Sequence, residues 1–172
     1  NDLIYIDPRA NVVVVTPVPG TGDRYQPFVL TPGPLPFDAA TTAPMGSLAG
    51  DFNEDGLMDV LVYYAGRTPI LFLRKKDDGA SVTLSRDNYV ATELTTTDER
   101  WFSSSAVQAD LDGDGHVDLL IGNYFQDGAR ILDTKADDVV EMHEGKGKAL
   151  NGGYKHVFLW QSAKRGAVPS VT

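Results

Sequence analysis

The feature that most constrains this chain is an acidic nine-residue segment that occurs twice. The first copy runs from Asp51 to Asp59, the second from Asp110 to Asp118, and both fit the pattern D-x-[DN]-x-D-G-x-x-D. They lie 59 residues apart, and short apolar runs flank both copies in the same places. A period of this length suits a four-stranded unit of a repeated β architecture, which takes about 40–50 residues plus loops.

The ligand-bearing positions of the two segments suit a calcium ion. Ca²⁺ takes about six to eight hard oxygen ligands at about 2.3–2.6 Å, and alternating carboxylates on a tight loop can surround one ion. Side-chain oxygens are available at positions 1, 3, 5 and 9 and a backbone carbonyl at position 7, while glycine at position 6 allows the sharp turn. We therefore predict two Ca²⁺ sites with these ligands: Asp51, Asn53, Asp55, Leu57 and Asp59; Asp110, Asp112, Asp114, His116 and Asp118.

Two other interpretations of the acidic segments fit less well. A helix-flanked EF-hand loop begins in the same way, but its bidentate acid belongs at position 12. This chain has the apolar residues Val62 and Ile121 there. An Asp-Gly-rich turn can also be a solvated hairpin without metal, but two copies with equal ligand spacing favour calcium. Because converging carboxylates repel one another without a cation, we expect the ions to act mainly by stabilising the fold.

Composition favours the all-β class and argues against several kinds of partner. The 17 Gly and 10 Pro cluster between short runs of Val, Ile, Leu, Tyr and Phe, as expected of strands joined by tight turns. The formal net charge of −9 and the lack of an extended basic patch argue against nucleic acid or an anionic membrane as a partner. No apolar stretch reaches the roughly 20 residues of a membrane-spanning helix, so no transmembrane segment is predicted.

Apolar runs and turn residues predict where the strands lie. Residues 1–44 are interpreted as the end of a preceding unit and a proline-rich connection. Residues 45–103 form one full unit, and residues 104–172 form a second with an insertion at 133–154, expected to be a long surface loop. The expected strands are Leu3–Ile6, Asn11–Thr16, Tyr25–Leu30, Gly46–Gly50, Val60–Tyr64, Ile70–Arg74, either Ser81–Leu84 or Tyr89–Leu94, Ala106–Ala109, Leu119–Asn123, Arg130–Leu132 and His156–Trp160.

The expected fold is a partial β-propeller of two to three four-stranded blades with calcium loops. Propellers close a ring of typically about 4–8 blades, so this number of blades leaves unpaired strand edges at both ends. We expect those edges to be covered by the remainder of a longer propeller, by an associated fragment or by further copies of the chain.

Several stretches resemble known repeats. Residues 50–62 (GDFNEDGLMDVLV) and residues 109–122 (ADLDGDGHVDLLIG) look like FG-GAP or VCBS repeats, the blades of integrin-alpha-type propellers. More narrowly, GNYFQDGARILD at 122–133 and NGGYKHVFLW at 151–160 resemble bacterial secreted proteins related to cartilage acidic protein 1. The resemblance implies a calcium-loaded propeller that is secreted, on the cell surface or periplasmic. It also implies a role in adhesion or recognition of a protein or carbohydrate partner.

The rest of the sequence offers no recognisable catalytic pattern, so a non-enzymatic binding or scaffold module is predicted. The three histidines form no spaced metal-binding pair and are expected on the surface or in loops: His116, His143 and His156. Four aromatic residues are expected in the core, with a ligand-facing platform as the alternative: Trp101, Tyr124, Phe125 and Trp160. Two other functions stay open. One is the propeller part of a hydrolase or lyase acting on polysaccharide, and the other is a subunit joined to a larger assembly through its open blade edges.

Overall fold

The structure is a computed structural model that describes residues 2–16, 26–76, 84–131, 133–137, 152–162 and 167–172. The described residues form twelve strands and one short 3-10 helix at Arg86–Asn88. The all-β class predicted from the composition is therefore confirmed. The strands are β1 (Leu3–Asp7), β2 (Val12–Thr16), β3 (Phe28–Leu30), β4 (Ala43–Gly50), β5 (Asp59–Ala65), β6 (Ile70–Arg74), β7 (Tyr89–Glu93), β8 (Ser103–Ala109), β9 (Asp118–Asn123), β10 (Lys155–Phe158), β11 (Trp160–Ser162) and β12 (Ser170–Val171).

The strands form three main antiparallel sheets and a small pair. The N-terminal sheet has the order β1-β2-β3, the central sheet β4-β5-β6-β7 and the C-terminal sheet β8-β9-β10. Strands β11 and β12 pair with each other. In every main sheet the strands that neighbour one another in sequence also pair, which is the arrangement that short turns permit. None of the sheets closes into a ring.

The hairpins that carry the two acidic segments have the same register. Gly50 pairs with Asp59 in the central sheet, and Ala109 pairs with Asp118 in the C-terminal sheet. Each hairpin also contains one irregularity, between Pro44 and Gly46 in β4 and between Ser103 and Ser105 in β8. These positions are again 59 residues apart, so the sequence match extends to the backbone pairing.

The third strand of the C-terminal sheet continues beyond β10. Phe158 pairs with Leu119 as Phe72 pairs with Val60 in the central sheet. One residue further on, Leu159 exchanges two backbone hydrogen bonds with Thr172, at 2.9 and 3.0 Å, and the chain then continues into β11. Strand β12 thus follows and flanks the third strand of this unit, as β7 flanks β6 in the central sheet.

The central sheet is buried on both faces. One face packs against the N-terminal sheet through alternate residues of the two sheets: Val60, Val62, Ile70 and Phe72 with Val13, Val15 and Leu30. The other face packs against the C-terminal sheet, and this second cluster contains Leu61, Leu71, Leu73, Leu119, Ile121, Phe158 and Trp160. Burial on both faces explains why β5 and β6 are almost continuously apolar rather than alternating.

Most predicted strands are present, with ends shifted by a few residues. Of the two options for the fourth strand of the first unit, the structure contains Tyr89–Glu93. The predicted strand at Arg130–Leu132 is wrong over its described residues, because Arg130 begins a turn that ends at Asp133. The Asp133 amide donates to the Arg130 carbonyl at 3.0 Å, and the Arg130 guanidinium pairs with the Asp133 carboxylate at 2.8 Å. A strand would separate these groups.

Some predictions fall outside the described residues. These are residue 25 of the predicted strand Tyr25–Leu30, the possible strand residues 81–83, residue 132, the turn at 78–79 and residues 138–151 of the insertion, which include His143. Within the described part of the chain, no helix is long and apolar enough to cross a membrane.

Gly66 offers a test of the packing between the central sheet and its surroundings. Its φ is 97°, its amide donates to the Trp101 carbonyl at 2.7 Å, and an added Cβ would overlap the Thr41 carbonyl oxygen. Gly128 has a φ of 79° and open space around it. We expect Gly128→Ala to cost about 1 kcal/mol, the backbone strain alone, and Gly66→Ala about 3 kcal/mol because the overlap adds to the strain. Chemical denaturation measures both, and equal losses would contradict this packing.

Candidate metal centre

The two acidic loops, named here the first loop (Asp51–Asp59) and the second loop (Asp110–Asp118), each join two strands of one hairpin. Position 6 has left-handed backbone in both, with φ of 86° at Gly56 and 92° at Gly115. Position 4 is left-handed as well, at Gly113 with φ of 81° and at Glu54 with φ of 55°. The sequence indicated the first of these requirements but not the second, because Glu54 is not a residue that favours this conformation.

The carboxylate at position 1 of each loop accepts hydrogen bonds from backbone amides later in the same loop. In the first loop, Asp51 accepts hydrogen bonds from the Asp55 amide at 3.0 Å and from the Gly56 amide at 2.9 Å. In the second loop, Asp110 accepts from the Gly113 amide at 2.7 Å and from the Gly115 amide at 3.1 Å. Each loop is therefore closed across positions 1 to 6 by side chain to backbone bonds.

In both loops the carboxylate at position 5 fixes the backbone of position 7, two residues later. Asp55 accepts from the Leu57 amide, and Asp114 accepts from the His116 amide, both at 2.8 Å. Since an aspartate that accepts from the amide two residues later forms a local turn, this contact positions residue 7, the predicted carbonyl ligand.

The carboxylate at position 9 is the best-buried group of each loop. Asp59 and Asp118 are both 0% exposed, and each uses its two oxygens on two backbone amides. Asp59 accepts from Phe52 at 3.0 Å and from Arg74 at 2.7 Å. In the second loop, Asp118 accepts from Leu111 at 2.7 Å and from Trp160 at 2.9 Å. One bond reaches position 2 of the loop and the other reaches the third strand of the sheet.

The two buried carboxylates differ in their electrostatics. Burial raises the pKa of Asp59 to about 6, and the negative charges of Asp55 and Asp51 add to that rise, while its two amide donors oppose it. The pKa of Asp118 lies below its usual range, mainly because the Trp160 and Leu111 amides stabilise the charged form. A divalent cation beside either group would favour its charged form.

Position 3 distinguishes the two loops. In the second loop, Asp112 accepts from the Asp114 amide at 3.1 Å. In the first loop, the equivalent Asp55 amide bonds to Asp51 instead. The Asn53 side chain is 2% exposed, yet its Oδ1 has no hydrogen-bond partner among the described residues. Its Nδ2 faces the Asp55 carboxylate at 3.4 Å, so this amide is buried beside an acid with its oxygen unsatisfied.

The structure brings three of the predicted ligands of the second loop together. One oxygen from each of Asp110, Asp112 and Asp118 lies within 4.8 Å of the others, as a group that could hold a metal ion. All three are hard carboxylate ligands, and no sulfur or imidazole nitrogen belongs to the group, so its chemistry suits Ca²⁺ or Mg²⁺ better than a transition metal. Asp114 lies outside this group and holds the turn at His116.

The His116 side chain connects the two loops. Its Nδ1 pairs with the Glu54 carboxylate, and this interaction raises the pKa of His116. Both side chains are partly exposed. The expectation that His116 lies in a loop at the surface is confirmed, although the pairing with position 4 of the other loop was not predicted.

A second polar cluster, missed by the sequence analysis, lies at the other end of the C-terminal sheet. His156 Nε2 lies 2.6 Å from the Asp127 carboxylate, whose other oxygen accepts from Asn123 at 2.7 Å. The imidazole stacks on Trp101 with a centroid distance of 3.7 Å. His156 lies in β10, within the predicted strand His156–Trp160, and its side chain is partly exposed, so it is not a loop residue but does reach the surface. The pair is 29 residues apart, so no local spacing could have indicated it.

The four aromatic residues considered for the core divide into two groups. Trp101 and Trp160 are buried in the cluster between the central and C-terminal sheets, as predicted. Tyr124 is exposed and Phe125 is only partly buried, so the core interpretation is wrong for Tyr124.

Comparison with protein-family models, with curated proteins and with solved structures finds no match to this chain.

The hydrogen bonds of the carboxylate at position 9 predict that its removal lowers stability even without metal. In excess chelator, we expect Asp59→Ala to lower the free energy of unfolding by about 3 kcal/mol, because one buried and one partly buried amide lose a charged acceptor. Asp55→Ala should cost less than about 1 kcal/mol under the same conditions, because its single amide bond lies near the surface. Urea denaturation of both variants measures the difference. If both cost the same in chelator, Asp59 would have no structural role separate from metal binding.

Proposed function

We propose that the chain is a calcium-stabilised segment of a β-propeller that acts outside the cytoplasm as a non-enzymatic module for adhesion, recognition or scaffolding. The observation that carries the proposal is that one loop architecture is built twice. In both loops the carboxylates at positions 1, 5 and 9 accept from the amides of positions 6, 7 and 2, within matching hairpins.

Calcium is supported by a different observation in each loop. The second loop gathers three carboxylates within 4.8 Å, an arrangement that repels itself unless a cation lies among them. The first loop contains the buried, unsatisfied oxygen of Asn53. Turning this amide by 180° would direct its oxygen towards Asp55, where only a cation between the two would make the contact favourable. An ion in the first loop would thus give a ligand role to an oxygen that has no hydrogen-bond partner among the described residues.

The proposed ions act on stability, because the loops also organise the sheets. The carboxylate at position 9 bonds to the third strand, at Arg74 in one unit and at Trp160 in the other. A loop fixed by Ca²⁺ would therefore hold three strands of its sheet in register. Since the ion binds the folded loop and not the unfolded chain, its binding free energy adds to folding stability.

A propeller is supported by the way in which the sheets stack. The central sheet uses Leu48, Leu61 and Leu71 to pack against the C-terminal sheet. The residues at the matching positions of the C-terminal sheet are Val107, Leu120 and Val157, which form one cross-strand row. Val107 and Val157 are 51% and 48% exposed. An apolar row in this position favours a further sheet stacked on this face, from a longer chain or from another copy.

The recognition role and the location rest on the resemblance to FG-GAP and VCBS repeats and on charge. Calcium loops of modest affinity suit the millimolar calcium outside cells. The net charge of −9 disfavours nucleic acid as a partner, and the resemblance implies a protein or a carbohydrate.

Direct calcium titration tests the proposal. By isothermal calorimetry we expect two equivalents of Ca²⁺ per chain and a rise in the melting temperature on binding. Asp55→Ala and Asp114→Ala should each lose one equivalent and reduce the calcium-dependent part of that rise. Asp38→Ala is the matched control, because Asp38 also accepts backbone and side-chain hydrogen bonds in an exposed turn but lies outside both loops.

Two results would reject calcium binding by the loops. One is a protein that binds no Ca²⁺ at millimolar concentration while its circular dichroism shows a folded β-sheet protein. The other is an unchanged stoichiometry in both loop variants.

A further inference from the structure

Trp160 donates a hydrogen bond to each of the two loops. Its backbone amide donates to the Asp118 carboxylate of the second loop at 2.9 Å. Its indole Nε1 donates to the Phe52 carbonyl, at position 2 of the first loop, at 2.8 Å. Trp160 is only 1% exposed, and its ring lies 6.0 Å from the Phe52 ring. Both bonds are therefore shielded from water, where each is stronger than at the surface.

The contact at Phe52 leads directly to ligand positions of the first loop. Phe52 lies between Asp51 and Asn53, and its own amide donates to the Asp59 carboxylate at 3.0 Å. A continuous series of hydrogen bonds thus runs from Asp59 through Phe52 and Trp160 to Asp118. It joins the two buried carboxylates at position 9 across the boundary between the two sheets.

We propose that Trp160 is a positioning residue for both loops and couples them, so that Ca²⁺ binding in either loop strengthens binding in the other. The inference rests on the calcium sites proposed above. An ion in the first loop orders residues 51 to 59 and fixes the Phe52 carbonyl where the indole reaches it. This orders Trp160, whose amide in turn fixes the Asp118 carboxylate. The second ion then binds a loop whose ordering has already occurred, and the same reasoning holds in reverse.

Two other side-chain contacts join the loop ends of the central and C-terminal sheets and lie nearer the surface. Glu54 pairs with His116, and Gln108 donates to the Ala49 carbonyl at 3.2 Å. Exposed pairs of this kind contribute little and are screened by salt. The coupling is therefore assigned to Trp160 and not to the Glu54–His116 pair.

The experiment measures how much an ion in one loop changes the calcium affinity of the other loop. Asp114→Ala removes the second ion, and calorimetry then gives the calcium affinity of the first loop alone. Comparison with the affinity in the intact protein yields the coupling factor, expected to be about fivefold or more. In the Trp160→Phe background the same comparison should give a factor near one. The phenyl ring keeps most of the buried apolar volume while it removes the indole N–H.

Trp101→Phe is the matched control. Trp101 lies in the same buried cluster, 4% exposed, but its indole N–H has no hydrogen-bond partner in the described part of the chain. Its coupling factor should equal that of the unaltered protein. A loss of coupling in both tryptophan variants would show general loosening of the cluster and would overturn the role of Trp160.

A second variant keeps the proposal testable if Trp160→Phe does not fold. Glu54→Gln should retain the coupling factor, also in about 0.5 M salt, because a buried path is screened little. Loss of coupling in Glu54→Gln would assign it to the surface pair and overturn the inference. Two Ca²⁺ bound with no coupling would reject this inference alone, whereas the absence of Ca²⁺ binding would reject the proposed function.

Discussion

The structure depends most on the buried carboxylate that ends each acidic loop. Asp59 and Asp118 stand at the first residue of a central strand, and each accepts one amide from its own loop and one from the third strand. A buried aspartate is tolerated only when its oxygens are satisfied, so the loop and the third strand have to be in place together. A local turn and the pairing of distant strands thereby become one cooperative event.

The sequence contained enough information to predict the class, most strands and both loops. Apolar alternation and turn residues depend on local periodicity, which a single sequence shows directly. The second copy of the acidic pattern favoured a shared structure over a chance turn, and both copies occupy matching hairpins. The near-continuous apolar run of β5 is explained by burial on both faces of the central sheet, which was not predicted.

Other parts of the site could not be predicted, for reasons of distance along the chain. The indole of Trp160 reaches a carbonyl 108 residues away, and its amide reaches a carboxylate 42 residues away, so no spacing rule connects them. The Asp127–His156 pair has the same origin. The positive φ at Glu54 was hidden because glycine occupies position 4 only in the other copy. At Arg130, a local ion pair overrode an apolar pattern that suggested a strand.

The contrast between Phe52 and Leu111 gives the stack of sheets a polarity. Both stand at position 2 of a loop, but Phe52 is buried under Trp160 of the next sheet, whereas Leu111 is 47% exposed. The first loop is thus completed by the unit that follows it. Separation of the two units would therefore uncover Phe52 in the first loop and leave Leu111 in the second loop as exposed as before.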